Sequence, residues 1–423
     1  MKKNLVLLLA AAFAVLPLAA QRNTREEISA DLERTGGVHF LYPTDQPAPT
    51  PAPKGYKPFY VSHVGRHGAR YALGNTVYED ILAVWNKAAE KGRLTPEGER
   101  FYKEYLDIYP YLCRREGILT EKGQAQHHYI ASQIYRNYPA VFKGKTHAEA
   151  VSTISHRVIV SMFSFLSELD NLDRDFTFGA DYGQPYQSYL LPDVIDSGAE
   201  RHGDAEVKFR QFRDQVLDLD AMLAKWFTRP DSLVTNKYKF CFDLHTVVST
   251  LDNTDVPEIP EALYSVYTPE ERYQLWRVNN YRDYQLLGRS PDTENLRMKA
   301  MSALLKDFVE KADEDIRSGQ VQLRLRFGHD STLMPLLSLM DVNGMGAAIE
   351  DPYEVEKYWQ NYNIPMACNF QLVFFKSKKN PDILVQVLLN GFEATLPLPM
   401  AAPGSFYRWE DVKACYSHYA GKH

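Results

Sequence analysis

The sequence predicts an α/β fold with a mainly parallel central sheet, helices on both faces and an inserted, mainly helical cap domain. A strand–loop–helix pattern supports the sheet. The apolar run Phe59–Val64 ends at a glycine-flanked loop, and the alternating run Val321–Phe327 leads into a helix that continues to Met340. The cap is predicted because residues 175–305 carry few strand patterns and many aromatic residues at helical spacing. We therefore expect both ends of the chain to contribute to the sheet.

The order of these patterns divides the chain. We expect a signal peptide at residues 1–20, an N-terminal segment with a proline-rich linker at 21–58, the first part of the α/β core at 59–174, the cap at 175–305 and the second part of the core at 306–423. The linker should run extended across the surface because prolines recur along it. Two later β-like runs, Gln371–Phe375 and Ile383–Leu389, predict a hairpin at a sheet edge.

The N-terminus has the pattern of an export signal. Lys2 and Lys3 precede an apolar run from Leu5 to Ala20, which is short for a membrane span and ends in small residues. We expect cleavage after Ala20, a periplasmic or secreted protein and no membrane partner after cleavage, with an uncleaved anchor as the alternative. The sequence has no Asn-x-Ser/Thr acceptor, which favours a bacterial source.

Charge and cysteine spacing exclude several classes of function. The formal net charge is −6 and no basic run occurs, which argues against a nucleic-acid partner. The cysteines show no zinc-ligand spacing, so no zinc site is expected. In an oxidising compartment they could form disulfides, with free buried thiols as the alternative. These cysteines are Cys113, Cys241, Cys368 and Cys415. The oligomeric state is left open.

Two short motifs carry the chemistry. Arg66-His67-Gly68-Ala69-Arg70 places two arginines and a histidine on the loop after the first predicted strand, and Gly328-His329-Asp330 follows the run Val321–Phe327. Arginine presents a planar fork of donors that matches phosphate oxygens. A neutral imidazole is a nucleophile near physiological pH. The combination indicates attack on a phosphate monoester.

Two further segments belong to the same pattern. Leu119–Gly123 opens a predicted helix through Tyr138, with Thr120 as its N-cap. The β-like run Ala150–Ser155 leads to Arg157 at the start of another helix. Ligands of open α/β sheets bind at the carboxyl ends of the strands. We therefore expect the loops that carry the arginines and histidines to converge.

Taken in order, these elements resemble those of the histidine acid phosphatases, the secreted branch of the histidine phosphatase superfamily that includes phytases and glucose-1-phosphatases. The loop at 66–70 resembles the RHGxR motif, and Leu119–Gly123 with Gln126 resembles the family's "LT..G" helix start. Ser152–Arg157 is similar to the segment that brings a third arginine, and 328–330 resembles the GHD element. The resemblance covers nearly the whole chain after the predicted signal peptide.

The resemblance implies a division of roles. His67 would attack phosphorus and form a phosphohistidine, and Asp330 would protonate the leaving alcohol and then help to activate water. The oxygens of the phosphoryl group would be held by Arg66, Arg70, Arg157 and His329. These roles agree with phosphoryl transfer, in which positioning and electrostatic stabilisation supply most of the catalysis. No cofactor and no metal are expected, because the arginines supply the positive charge.

Two positions depart from related patterns. Tyr71-Ala72 follows the first motif, where the family often has proline two places after the second arginine. Multiple inositol polyphosphate phosphatases are also similar to this chain, but they carry His-Ala-Glu where this chain has His329-Asp330-Ser331. The aspartate favours the branch with an aspartate proton donor. The natural ester stays open between phytate or other inositol phosphates and sugar phosphates, because specificity would depend on cap residues.

Other interpretations remain. The chain could be an enzyme of the multiple inositol polyphosphate phosphatase type, a phosphomutase or cytosolic sugar-phosphate phosphatase of the same superfamily, or a catalytically silent protein that binds a phosphate ligand. His127-His128 lacks the spacing of a metal site, because adjacent helical residues diverge. His63 and His156 are expected either to lie behind the residues that contact the substrate or to be buried and hydrogen-bonded, rather than to be catalytic groups.

Overall fold

One sheet spans the molecule. The computed structural model of the chain describes residues 22–74, 76–192 and 203–420. Its strands are β1 (Tyr56–Arg66), β2 (Thr146–Ser152), β3 (Phe176–Tyr182), β4 (Leu323–Gly328), β5 (Asn369–Ser377), β6 (Leu384–Leu389), β7 (Phe392–Glu393) and β8 (Phe406–Arg408). They lie in the order β3-β2-β4-β1-β5-β6-β7, and β8 also pairs with β6.

The half of the sheet that carries the predicted motifs is parallel. Strands β3, β2, β4 and β1 pair in parallel, whereas β5 and the strands beyond it pair antiparallel. In β1 every residue from Tyr60 to Arg66 is buried. Strands covered on both faces have nearly continuous apolar runs rather than alternation, which explains why Phe59–Val64 is recognisable in the sequence.

The helices between the strands are numbered in chain order. They are α1 (Thr24–Ala30), α2 (Val77–Glu90), α3 (Pro96–Leu112), α4 (Glu121–Asn137), α5 (His156–Leu172), α6 (Gln184–Leu190), α7 (Asp204–Val216), α8 (Leu219–Ala224), α9 (Lys237–Thr250), α10 (Glu261–Tyr264), α11 (Pro269–Leu287), α12 (Leu296–Ala300), α13 (Ser302–Ser318), α14 (Asp330–Met340), α15 (Val355–Tyr358) and α16 (Trp409–Ala420). Short 3-10 helices also occur, and the first of them spans Leu32–His39.

Helices cover both faces of the sheet, as the sequence predicts. On one face, α4 and α5 pack together and share a core with sheet residues such as Leu325 and Phe327. On the other face, α13, α14 and α16 pack over residues that include Val64 and Phe374. The predicted fold class is confirmed, and the strand–loop–helix units at both ends of the chain form one core.

Two details of the sheet differ from the sequence predictions. Phe176–Tyr182 forms the edge strand β3, which lies inside the range assigned to the cap. Most of its side chains are exposed, so it lacks the apolar pattern of a buried strand. The predicted hairpin exists as β5 and β6, but its placement at an edge is wrong, because β5 pairs with β1 on its other side and β6 is flanked by β7 and β8.

Helices dominate the central part of the chain. Helix α11 begins with a capping box between Thr268 and Glu271 and lies in the range that the sequence predicts to be mainly helical. Aromatic side chains join this region to α2, because Trp85 packs against Trp226 and Phe227. Much of the aromatic content of the central region therefore forms core. The division into core and cap domains stays a prediction.

The N-terminal part of the chain lies against the sheet. The predicted signal peptide at 1–20 falls outside the described residues. The linker has no helix or strand from 41 to 53, in agreement with its prolines, and Gln46 Nε2 donates to the Asn390 carbonyl oxygen at 3.0 Å. Helices long and apolar enough to cross a membrane are absent from the described ranges. All four cysteines are free thiols, which agrees with the alternative to disulfides.

Candidate active site

Three adjacent parallel strands end at one place. Arg66 at the end of β1 is in register with Gly328 at the end of β4, and Ser152 at the end of β2 is in register with Phe327. The loops that follow these strands carry His67, His329 and Arg157. The predicted convergence at the carboxyl ends of the strands therefore occurs.

The loop after β1 is held by close contact with α4. A Cβ atom on Gly68 would lie 2.3 Å from the carbonyl oxygen of Gly123, and one on Gly123 would lie 2.3 Å from that of Ala69. Neither backbone could accept a side chain without moving. The glycines of the two sequence motifs are thus explained by one contact between the loop and the first turn of the helix.

Hydrogen bonds complete this support. The hydroxyl of Thr120 donates to the Ala69 carbonyl oxygen at 3.0 Å and also caps α4 by accepting from the Gly123 N–H. The Ala69 N–H donates to Gln126 Oε1 at 2.8 Å, and the Gly68 N–H donates to Ser161 Oγ at 3.1 Å. The helix-start motif therefore fixes the loop backbone, which in turn fixes the side chain of His67.

His67 presents a neutral ring with an unprotonated Nε2. Its Nδ1 lies 2.9 Å from the Gly68 carbonyl oxygen, and since a carbonyl can only accept, Nδ1 must carry the proton. The lone pair then resides on Nε2. Burial is the main reason why the pKa of His67 lies well below its usual value. The pKa is lowered further by the nearby Arg66, Arg70, Arg157 and His329. The imidazole is therefore neutral.

Arg66 is completely buried and is held by parts of the chain far apart in sequence. Its Nη1 donates to the carbonyl oxygen of Val38 at 2.5 Å and to that of Ile364 at 3.0 Å. Its Nη2 donates to Asp330 Oδ2 at 2.7 Å. Burial lowers the pKa of Arg66, whereas Asp330 raises it. The guanidinium is thus fixed by three acceptors.

Arg70 and Arg157 complete the cationic cluster. Arg70 Nη1 donates to the Tyr71 carbonyl oxygen at 3.0 Å, and burial together with Arg66 lowers the pKa of Arg70 to about 9. Burial also lowers the pKa of Arg157. The Nε atoms of all three arginines are buried and have no hydrogen-bond acceptor in the described part of the chain. Each is a donor that a bound anion could satisfy.

His329 lies beside His67. The ring centroids of His67 and His329 are 5.7 Å apart in an edge-to-face arrangement. Thr153 Oγ1 lies 3.1 Å from His329 Nε2, and Arg157 Nη2 lies 3.5 Å from Nδ1. Burial and Arg157 lower the pKa of His329 to about 3, so this ring is neutral as well. Thr153 belongs to the sequence segment that brings Arg157, but its contact with His329 could not be inferred from that segment.

Asp330 is the first residue of α14, and its two oxygens have different partners. Oδ1 accepts from the Ser331 N–H at 2.8 Å, while Oδ2 accepts from Arg66. Burial would raise the pKa of Asp330, but Arg66, Arg70 and His329 hold it well below its usual range. Without a bound anion, the carboxyl is therefore ionised. A role as a proton donor requires a change in this balance.

A cleft of about 1230 Å³ opens above the cluster. Arg70 and Asp330 lie on its wall, together with residues that the sequence did not single out, including His39, Arg282 and Asp283. Its described lining arginines are Arg70, Arg210, Arg213, Arg282 and Arg297, and its described acidic residues are Glu206, Asp243, Asp283 and Asp330. Apart from Arg70 and Asp330, these groups come from the N-terminal segment and the central helices, so no local motif connects them.

Some sequence candidates lie elsewhere. His63 is buried as predicted, but neither ring nitrogen has a hydrogen-bond partner in the described part of the chain, and His127 is in the same situation. His156 is not buried, which contradicts that part of its prediction, because its side chain is exposed on the first turn of α5. Within the described ranges, no group of three or more His, Cys, Asp or Glu side chains could hold a metal ion.

Comparisons with known proteins show that the fold is one that histidine acid phosphatases share. Human multiple inositol polyphosphate phosphatase 1 is 24% identical over 394 residues, which cover 83% of this chain and 77% of the relative. No protein-family profile matches the chain.

Solved structures show the same fold. Bifidobacterium longum multiple inositol polyphosphate phosphatase, in complex with inositol hexasulfate, superposes with a TM-score of 0.75 at 16% identity over 91% of this chain and 97% of that one. The phytase from D. castellii superposes with a TM-score of 0.71 at 14% identity, over 92% of this chain and 85% of the phytase. Hafnia alvei phytase superposes with a TM-score of 0.57 at 12% identity, over 87% of this chain and 98% of the phytase. The predicted resemblance to histidine acid phosphatases is confirmed, and the predicted enzyme class, a phosphatase, is the class of these relatives.

Proposed function

We propose that the chain is an exported phosphomonoesterase that hydrolyses inositol phosphates such as phytate, or sugar phosphates, through a phosphohistidine on His67. One observation carries the proposal. Two buried arginines, Arg66 and Arg70, and the half-buried Arg157 lie around a neutral histidine, and each has a buried Nε–H without a protein acceptor in the described residues. Buried donors of this kind are costly unless a ligand accepts from them. A phosphoryl group supplies several oxygens with the matching charge and geometry.

The first step forms the phosphohistidine. The lone pair of His67 Nε2 attacks phosphorus, and the bond between phosphorus and the alcohol oxygen breaks. Arg66, Arg70 and Arg157 stabilise the charge on the non-bridging oxygens, with His329 beside them. The alcohol leaves with a proton from Asp330. In the second step water attacks phosphorus, the bond from nitrogen to phosphorus breaks, and Asp330 takes up the proton of the water.

The low pKa of Asp330 in the ligand-free site is compatible with this role. Arg66 and Arg70 are the main groups that lower this pKa. A bound phosphate monoester offsets their charge, so the pKa of the carboxyl rises when substrate binds. The ester also brings a proton below its second pKa of about 6. Asp330 can therefore receive the proton from the bound monoanion and pass it to the leaving oxygen.

The cleft and the relatives support the proposed substrates. Inositol polyphosphate phosphatases and phytases are among the proteins with this fold, and one structure contains inositol hexasulfate. The cleft of this chain has arginines beyond the catalytic cluster, including Arg282, which suit further phosphate groups. Carboxylates such as Asp283 lie among them and suit hydroxyl groups. The substrate therefore combines phosphates with a polyol ring.

Export is part of the proposal. The N-terminal lysines and apolar run support a cleaved signal peptide and a periplasmic or secreted enzyme of bacterial origin. We propose that the mature protein acts on a small phosphate ester, with no nucleic-acid or membrane partner. The acidic formal charge and the absence of a basic run support this part of the proposal.

Trapping the intermediate tests the mechanism. Wild type and His67→Ala are mixed with ³²P-labelled p-nitrophenyl phosphate in buffer with a chelator and are quenched in base, in which phosphohistidine is stable. We expect a base-stable, acid-labile label in wild type and none in His67→Ala, whose kcat should fall by on the order of 10⁴-fold or more. His128→Ala, a half-buried histidine outside the cleft, is the matched control.

The same experiment separates the alternatives. A silent binding protein would bind inorganic phosphate but would neither release p-nitrophenol nor acquire a label. Label on serine, cysteine or aspartate would contradict the phosphohistidine. Dependence of turnover on added zinc or magnesium would contradict catalysis by the arginines alone.

A further inference from the structure

His39 belongs to the wall of the catalytic cleft although it lies before the first strand of the sheet. It is the last residue of the 3-10 helix Leu32–His39. Its side chain lines the cleft together with Arg70 and Asp330. The N-terminal segment, in which no sequence motif marks a site residue, thus contributes to the cleft wall.

The backbone around His39 is fixed on both sides. The preceding carbonyl oxygen, that of Val38, accepts from Arg66 Nη1, and the carbonyl oxygen of His39 accepts from Asn253 Nδ2 at 2.7 Å. The next carbonyl oxygen, that of Phe40, accepts from the Met366 N–H at 2.9 Å. These bonds connect the segment to the phosphate cluster and to two other parts of the chain. The backbone position of His39 relative to Arg66 is therefore defined.

A glycine sets the path of the chain into this position. Gly37 has a φ of +56°, and a Cβ atom there would lie 2.8 Å from the side-chain amide of Asn361. Only glycine combines this backbone conformation with such a close approach. The same Asn361 amide donates to Asp283, another residue of the cleft wall. The segment at 37–39 is therefore packed directly against the wall that the central helices supply.

The ring of His39 faces charged groups but has no hydrogen bond to them. It is half-buried, and no protein group among the described residues is hydrogen-bonded to its nitrogens. Burial lowers the pKa of His39 well below its usual value, and Arg70, Arg66 and His245 lower it further. The nearby Asp330, in contrast, raises this pKa. The ring is therefore neutral, with one N–H and one lone pair available to the cleft.

We propose that His39 contacts the alcohol part of the ester, on the side of the cleft next to Asp330, and thereby helps to determine specificity. The inference rests on the proposed phosphatase function. A neutral imidazole can donate to a phosphate oxygen or accept from a hydroxyl group on the carbon next to the scissile ester. The neighbouring carbon carries a further phosphate in myo-inositol hexakisphosphate and a hydroxyl group in glucose 1-phosphate. A flat aryl ester such as p-nitrophenyl phosphate has neither.

The test compares two variants on three esters. His39→Ala removes the ring, whereas His39→Gln keeps a donor and an acceptor, and both leave the Val38 carbonyl in place. In His39→Ala we expect kcat/KM for myo-inositol hexakisphosphate and for glucose 1-phosphate to fall about tenfold, the effect of one hydrogen bond. The value for p-nitrophenyl phosphate and inhibition by inorganic phosphate should change less than about twofold. His39→Gln should recover part of the loss, and His128→Gln is the control.

Equal losses on all three esters, with weaker inhibition by inorganic phosphate, would mean that His39 supports the phosphate cluster and would overturn the proposal. Unchanged values on all three esters would overturn it as well. If wild type hydrolyses none of the esters, the proposed function fails. The role of His39 is then tested by measuring ligand binding to wild type and His39→Ala. Calorimetry with myo-inositol hexakissulfate should then show a Kd about tenfold higher in His39→Ala than in wild type, and an equal Kd would sink the proposal.

Discussion

Arg66 and Asp330 form an ion pair between the phosphate cluster and the proposed proton donor, with Nη2 and Oδ2 2.7 Å apart. The guanidinium is fully buried, whereas the carboxylate side chain is 23% exposed towards the cleft. In the proposed mechanism the same guanidinium also holds a phosphate oxygen of the substrate. The substrate would then weaken the hold of Arg66 on Asp330, so that its charge would control the proposed acid.

Asp330→Asn should affect esters according to their leaving group. An amide cannot protonate a departing alkoxide, but p-nitrophenolate leaves readily without a proton. We expect kcat for glucose 1-phosphate or myo-inositol hexakisphosphate to fall by on the order of 10²- to 10⁴-fold, with a much smaller loss for p-nitrophenyl phosphate. Steady-state kinetics on both ester types provide the measurement. Equal losses would show that Asp330 supports Arg66 but is not the acid.

The pH dependence of kcat/KM should have a limb set by the substrate. The pKa values of Asp330 and His67 both lie well below their usual ranges, so the deprotonated forms of both groups dominate in the free enzyme. The ester loses its proton above its second pKa of about 6. For glucose 1-phosphate, kcat/KM should therefore fall about tenfold per pH unit above pH 6. The decline should be shallower for p-nitrophenyl phosphate, and a flat profile to pH 8 would contradict proton delivery by the monoanion.

Thr153→Val should lower activity without unfolding the protein. The substitution keeps the shape of a buried side chain but removes the hydroxyl that lies 3.1 Å from His329 Nε2. We expect kcat/KM to fall about tenfold because the ring loses the partner that orients it. The control is Thr250→Val, a buried threonine whose hydroxyl donates to the Val247 carbonyl oxygen. A similar loss of activity in both variants would indicate a general packing effect.

The sequence predicted the parts of the site that are encoded locally. Strand β1, the loop with His67 and the helix behind it each have a short motif, so their order and convergence could be inferred from runs and spacing. The hydrogen-bond acceptors of Arg66 could not be inferred from the sequence. Val38 and Ile364 lie 28 and 298 residues away in the chain and contribute only backbone carbonyls. Any residue type supplies a carbonyl, and no pattern marks it.

The same reason explains what was missed in the fold. Strand β3 lies at an edge with an exposed face, so its sequence lacks the apolar run that identifies β1. The hairpin of β5 and β6 was recognised from its composition, but the position of a strand within a sheet depends on contacts distant in sequence. Likewise, the exposure of His156 depends on which face of α5 meets the sheet, and its neighbour Arg157 faces the site instead.

Gly123→Ala should disable the site by moving the loop that carries His67. A Cβ atom at this position would lie 2.3 Å from the Ala69 carbonyl oxygen, which is backbone and cannot rotate away. Overpacking of this kind costs about 1–3 kcal/mol of unfolding free energy. A displaced catalytic loop lowers kcat/KM by roughly 100-fold. Gly36→Ala, where the nearest atom would be 3.5 Å away, is the control, and equal effects would contradict this account.

The buried pair His63 and His127 should make the fold sensitive to acid. Both rings pack on Phe327 and lack hydrogen-bond partners for their nitrogens in the described part of the chain. Burial, together with a neighbouring histidine in each case, lowers the pKa of each to about 3. In the unfolded chain the pKa is about 6.5. Above pH 6.5 these histidines are neutral in both the folded and the unfolded state. Below pH 6.5 they bind protons in the unfolded state but not in the folded state, so the free energy of unfolding decreases as the pH is lowered.

Urea unfolding at pH 7.0 and pH 4.5 measures this effect. Each buried histidine should lower the unfolding free energy by about 2–3 kcal/mol between these two pH values. His127→Leu removes one titrating group while keeping an apolar contact with Phe327, so it should lose about 2–3 kcal/mol less than wild type over the same interval. His147→Leu, at a half-buried histidine on β2, should retain the wild-type difference. If His127→Leu and wild type lose the same stability, His127 is not a source of the acid sensitivity, because the ring must then be protonated or hydrogen-bonded in the folded state.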